Sequence, residues 1–239
     1  MRPPLLRQSP ASALAAEYAH ARVASGATPW RRARYCVVDL ELSGLDPRSD
    51  EIISFAAVPI DSGRVIAGGS LYGLCRPTRP LGEESVLIHG IRTVDLEEAS
   101  PLDEAIEPLI AAMTGRVLVA HAAWVEQSFL SPVLRRQGVR LRQPVLDTQQ
   151  LGRLLALEQG GRGRRPSLDD LAGGLGLPAH RPHHALGDAL TTAQVFIALA
   201  SHLEELRTET VRSLARAPDR ARELSTFPHG PAVWPTMGR

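Results

Sequence analysis

The sequence predicts an α/β fold, a mixed central sheet flanked by helices on both faces, and three observations carry that reading. The run Tyr35-Cys36-Val37-Val38-Asp39-Leu40-Glu41 is apolar and bounded by arginines and by Ser43-Gly44, the pattern of a buried strand. Residues 51–60 and 69–76 read as further antiparallel strands of a meander that turns at Asp61-Ser62-Gly63. From residue 101 onward, strand and helix patterns alternate.

In chain order, a helical stretch over 11–24 precedes the first strand, predicted over 35–41. After the meander, residues 101–113 have helical spacing, 116–121 read as a strand and 124–137 as a helix. A short strand at 145–146 and helices over 148–157, 167–175 and 184–206 complete the set. The implied organisation is an N-terminal helical extension over 1–33, a domain over 34–206 and an arginine-rich loose tail over 207–239. That tail carries Phe227-Pro228-His229-Gly230-Pro231.

With 239 residues, 44% of them hydrophobic, the chain is long enough to bury a substantial core. All 27 basic residues are arginine, yet the net charge is only +1, so the surface as a whole does not attract polyanions. Local clustering says more. Arg162, Arg164 and Arg165 lie in a Gly-rich loop between two helices, where they read either as phosphate contacts or as a solvated loop. Arg135, Arg136, Arg140 and Arg142 end the helix predicted over 124–137 and complement its dipole. Cys36 and Cys75 form no disulfide framework, and reduced thiols fit a cytoplasmic protein. No apolar run reaches the ~18 residues of a membrane span, so no membrane association is expected.

Chemistry is concentrated in acidic residues from three separated segments. Asp39 and Glu41 alternate on one face of a strand, where two carboxylates repel and lose hydration. They need a cation, or one must take up a proton. Oxygen ligands of this kind favour Mg²⁺ or Mn²⁺ over zinc. Asp188 opens the last long helix three residues after Ala185, so the two share a face and a small residue lets the helix approach the sheet. A spacing of five takes His183 off that face, into the loop at the helix entrance after Pro182.

Asp39-x-Glu41, the stretch from Val119 to Leu130, and His183-x-Ala185-x-x-Asp188 resemble the three motifs of the DnaQ-like, DEDDh-type 3'-5' exonucleases of the ribonuclease H-like superfamily. The likeness covers roughly residues 34 to 203. Ile88-His89-Gly90-Ile91 is similar to the family's loop near the terminal nucleotide, Leu146-Asp147-Thr148 to its following strand end, and Ser167-Leu168-Asp169-Asp170-Leu171 to the helix before the last motif.

The resemblance implies two Mg²⁺ or Mn²⁺ ions bridged by Asp39, with Glu41 and Asp188 completing one shell and Glu126 in support. His183 then takes a proton from the attacking water, and an imidazole titrating near ~6.5 suits that task. The substrate implied is the 3' end of single-stranded DNA or RNA; a DNA polymerase as partner and a standalone repair or nucleotide-recycling role both stay open. Leu42 and His89 are expected at the terminal nucleotide, although either also fits the core; Trp124 reads either as a base platform or as packing.

The second motif departs from the family's H-N-A-x-F-D-x-x-F-L, with Ala122 in place of Asn and Glu126 in place of Asp. The longer side chain keeps the charge and moves it by one methylene, and a misplacement near ~1 Å costs on the order of 100-fold in rate. Two other readings therefore stay open, an RNA-trimming exoribonuclease and a nucleic-acid-binding accessory protein that has lost turnover.

Overall fold

The structure is a computed structural model describing residues 10–141 and 145–226. Its strands are β1 (Arg34–Leu42), β2 (Ile52–Asp61), β3 (Arg64–Val65), β4 (Leu71–Leu74), β5 (Val117–Ala120) and β6 (Leu146–Asp147). The helices are α1 (Ala13–His20), α2 (Glu83–His89), α3 (Leu102–Ala105), α4 (Glu107–Met113) and α5 (Trp124–Arg136), followed by α6 (Thr148–Glu158), α7 (Leu168–Gly174), α8 (Ala185–Leu206), α9 (Val211–Ala215) and α10 (Ala217–Thr226).

One mixed sheet runs β3-β2-β1-β5-β6, and β4 also pairs with β2. β2 is antiparallel to β1, whereas β5 is parallel to β1 and β6 to β5. The carboxyl ends of β1, β5 and β6 therefore lie along one edge. In open α/β sheets that edge is where ligands bind.

Strand alternation divides the core in two. Tyr35 and Val37 pack with Ala185, Ala189 and Phe196 of α8 on one face, while Cys36, Val38 and Leu40 pack with Ile110 of α4 and Leu130 of α5 on the other. Phe196 meets Tyr35 at 4.8 Å and Trp30 edge-on at 6.2 Å between ring centroids, and the Tyr35 hydroxyl donates to the Trp30 carbonyl at 2.7 Å. Each such buried aromatic contributes roughly 2–3 kcal/mol. Cys36 and Cys75 are free and buried. Among the described residues, no helix is long and apolar enough to cross a membrane.

Three expectations need correction. The single helix over 101–113 is two, α3 and α4, because Pro108 has no N–H to continue the bonding across Ile106. His89 closes helix α2 rather than sitting in a loop, and Gly90, at φ +74°, ends that helix. Residues 207–226 are not a loose tail. Val211, Leu214, Ala217 and Ala221 are buried in the core, and α10 packs on α6. The arginine content concealed this stripe of small and apolar residues at helical spacing. Phe227 to Pro231 and Arg142 lie outside the described residues, as do residues 1–9 of the extension. The remainder of that extension contains α1, capped by Ser12 and buried through Ala15 and Tyr18.

Candidate active site

β1 presents Asp39 and Glu41 on the face that α8 covers. Opposite Glu41 in the register stands Ser54 of β2, and the register shifts between Glu41 and Leu42, where the paired strand ends. Asp188 arrives from the first turn of α8. That helix starts close under the preceding strap: a Cβ on Gly187 would lie 2.3 Å from the His180 carbonyl oxygen and 2.5 Å from that of Arg181. Ala185 and Ala189 are fully buried, which lets α8 lie near the sheet.

One carboxylate oxygen each from Asp39, Glu41 and Asp188 falls within 4.8 Å of the other two. Glu126 stands on the first turn of α5, only 4% exposed, and its Oε2 has no hydrogen-bond partner among the described residues. Burial, then the charges of Glu126, Asp188 and Glu41, push the Asp39 carboxyl well above the usual range. Burial, with help from Asp188, raises Glu41 to about 7. Burial likewise takes Glu126 to about 8, its own backbone pulling the other way and Asp147 adding to the rise. Asp188 is raised by burial against the opposing hydrogen bond from the His183 backbone.

Among the described residues, no arginine pairs with any of the four. Four mutually repelling, poorly hydrated carboxylates and an orphaned buried oxygen are an environment that a divalent cation would neutralise, and the all-oxygen donor set suits Mg²⁺ or Mn²⁺. Asp39, Glu41 and Asp188 would hold it.

His183 lies where the spacing placed it, exposed in the loop before α8 and in a left-handed conformation at φ +58°. Its N–H donates to Asp188 Oδ2 at 2.9 Å, so the carboxylate fixes the loop that carries the imidazole. The next residue, His184, stacks on Tyr72 at 4.7 Å and 16°. Tyr72 was not anticipated, since nothing in its own segment signals contact with a residue 112 positions away.

Leu42 is 8% exposed and packs with Leu40 and Ile52 in the cluster on the far face from α8. His89 accepts the Ile91 N–H on Nδ1 at 3.0 Å, buries Nε2 without a partner, and is lowered in pKa by burial. Exposed Leu87 and Ile88 precede it. Arg162 and Arg164 line a cavity of about 620 Å³ between α6, α7 and α8, and none of the four carboxylates borders it. Arg164 pairs with Asp170 at 2.6 Å, and Arg165 is exposed. Trp124 is 53% exposed at the start of α5.

Residues 36–196 match the family described as exonuclease, RNase T. The chain belongs to this DnaQ-like, ribonuclease H-like exonuclease family. Among relatives of the exonuclease domain, a DNA polymerase III subunit epsilon-like protein of Rhodobacter capsulatus is 36% identical over 180 residues, covering 74% of this chain and 25% of that protein. A DNA polymerase III PolC-type of Thermotoga petrophila is 32% identical over 178 residues, again 74% of this chain but 12% of its relative. The chain thus corresponds to a quarter or less of these relatives' lengths. Exonuclease X in complex with 5' overhanging duplex DNA shares the fold at a TM-score of 0.58 and 21% identity, over 76% of this chain and 99% of that one.

Proposed function

We propose that this exonuclease removes nucleotides from the 3' end of single-stranded nucleic acid, DNA in preference to RNA, releasing nucleoside 5'-monophosphates. The observation that carries the reading is the convergence of Asp39, Glu41 and Asp188 within 4.8 Å beside the buried Glu126. Two Mg²⁺ or Mn²⁺ ions bound there would stabilise the attacking and leaving oxygens of an in-line displacement at phosphorus.

The protein's own part is placement. Asp39 feels Glu126, Asp188 and Glu41 at once, which makes it the carboxylate best placed to be shared. Glu41 and Asp188 would supply further oxygens to hold the ions, and Glu126 would support them from the α5 side. Exposed His183 accepts the proton of the attacking water, and its backbone tie to Asp188 keeps the ring at the mouth of the site. Leu42, His89 and the Arg162, Arg164 and Arg165 loop remain proposed contacts along the strand, with less geometric support than the carboxylates.

Preference for DNA is supported by relatives named as DNA polymerase III components and by a structural neighbour holding DNA. The same names support a DNA polymerase as partner. The test is digestion of 5'-labelled single-stranded DNA and RNA by the native chain, Asp39→Ala and Glu126→Asp. The expected result is a ladder shortening from the 3' end on DNA, lost by ~1000-fold or more in Asp39→Ala. A ladder from Glu126→Asp alone would support the accessory, non-catalytic reading instead, and a ladder on RNA alone the exoribonuclease.

A further inference from the structure

We infer that Asp147 is a positioning residue that sets Glu126 against Asp39 by clamping the turn between β5 and α5. The inference rests on the metal-nuclease reading above and adds a residue to it. Ala122, in that turn, has φ +54°, a left-handed conformation that costs an alanine roughly 1–2 kcal/mol. Its N–H donates to Asp147 Oδ1 at 3.1 Å. The same carboxylate accepts from the Gln149 N–H at 2.9 Å, and the nearby backbone N–H groups of Ala123 and Gln150 also favour its charged form.

Asp147 thus caps the start of α6 and, through the Ala122 N–H, anchors the turn that enters α5. α5 has no cap of its own, since Ala123 stands at the N-cap position without a side chain able to accept. A second tie runs beside the first: His121 Nδ1 and Thr148 Oγ1 lie 3.0 Å apart, and the Thr148 hydroxyl donates to the Ala120 carbonyl.

Glu126 is the third residue of α5, and no partner holds its Oε2. Its place beside Asp39 is therefore set by the orientation of the helix, which the strained turn determines. Without the clamp, the turn relaxes toward a conformation that alanine prefers and α5 re-aims.

The experiment compares Asp147→Ala, Asp147→Asn, Ala122→Gly and Asp147→Ala combined with Ala122→Gly. Glycine adopts the left-handed turn without penalty, so it should keep the turn when the clamp is gone. Two readouts are taken: kcat and KM on a 5'-labelled oligothymidylate with Mg²⁺, and Mn²⁺ affinity by electron paramagnetic resonance without DNA. Asp147→Ala should lose ~100-fold in kcat with KM within about twofold, and about tenfold in Mn²⁺ affinity. The double variant should regain at least about tenfold in kcat and most of the Mn²⁺ affinity. Asp147→Asn, which keeps an oxygen for the Ala122 N–H, should lose less than Asp147→Ala on both, and it serves if Asp147→Ala does not fold.

Unchanged kcat and Mn²⁺ affinity in Asp147→Ala, with only a lower melting temperature, would overturn the assignment. So would equal losses in Asp147→Asn and Asp147→Ala that glycine at 122 fails to restore. A native chain that binds Mn²⁺ yet cleaves nothing would sink the nuclease reading while the Mn²⁺ series still decides the role of Asp147.

Discussion

Two groups of buried carboxylates in this molecule are handled in opposite ways. Where α10 meets α6, fully buried Glu209 is bonded by Arg220 at 2.8 Å and by the Ser213 hydroxyl, while Glu158 is paired with Arg207 and Arg220. At the carboxyl end of β1, Asp39, Glu41, Glu126 and Asp188 face one another with no arginine paired to them among the described residues. The first group satisfies its charges from within the chain and so holds the fold together. The second carries unrelieved repulsion, and its neighbouring backbone is also strained, at Ala122 and His183. Strain and unmatched charge concentrated at one end of a sheet are what a site prepared for a cation shows.

The comparison breaks if the two groups respond alike to removal of a charge. Glu209→Gln should destabilise the fold by about 3–5 kcal/mol, because Arg220 is left buried with half its partner gone. Asp39→Asn should do the reverse without metal, stabilising by about 1 kcal/mol as repulsion is relieved. Thermal or urea unfolding of both variants reads the signs, and destabilisation in both would merge the two regions.

A cation should separate them next. At a Mg²⁺ concentration about 100-fold above its dissociation constant, the native chain should gain ~2.7 kcal/mol that Asp39→Ala does not. The pH profile sharpens the point. Glu41 at about 7 and Glu126 at about 8 lie above the ~4.3 of an unfolded glutamate, so the folded chain binds these protons more tightly. Their contribution to stability is fully present below about 4.3 and is lost progressively as pH rises from there through about 7 for Glu41 and about 8 for Glu126. In chelator, the melting temperature should therefore fall across that window. With Mg²⁺ the decline should flatten, since the ion favours the charged forms.

The smallest effect concerns the turn. Ala122→Asn should stabilise by about 0.5–1 kcal/mol, because asparagine tolerates the left-handed region better than alanine. Melting of the single variant measures it, and a loss would mean that the turn is not a source of strain.

Much of this was legible in the sequence for identifiable reasons. Period-two alternation put Asp39 and Glu41 on one face, and a spacing of five put His183 outside the helix that carries Asp188. Both follow from local geometry. Where the Arg162, Arg164 and Arg165 loop lies relative to the carboxylates was not legible from charge clustering, since it depends on the packing of α6, α7 and α8. The role of Asp147 left little trace because its partners are backbone N–H groups, which every sequence contains. The paired cluster at Glu209 stayed hidden for a similar reason: its arginines come from a stretch whose composition suggested solvent.

The central claim is cleavage from the 3' end that depends on the unpaired carboxylates. A 5'-labelled single-stranded DNA incubated with the native chain and Mg²⁺, then quenched through a time course, tests it most directly. Labelled products should shorten by one nucleotide at a time, with none in excess chelator or with Asp39→Ala. Label released first as a mononucleotide, or a ladder that persists in chelator, would contradict it.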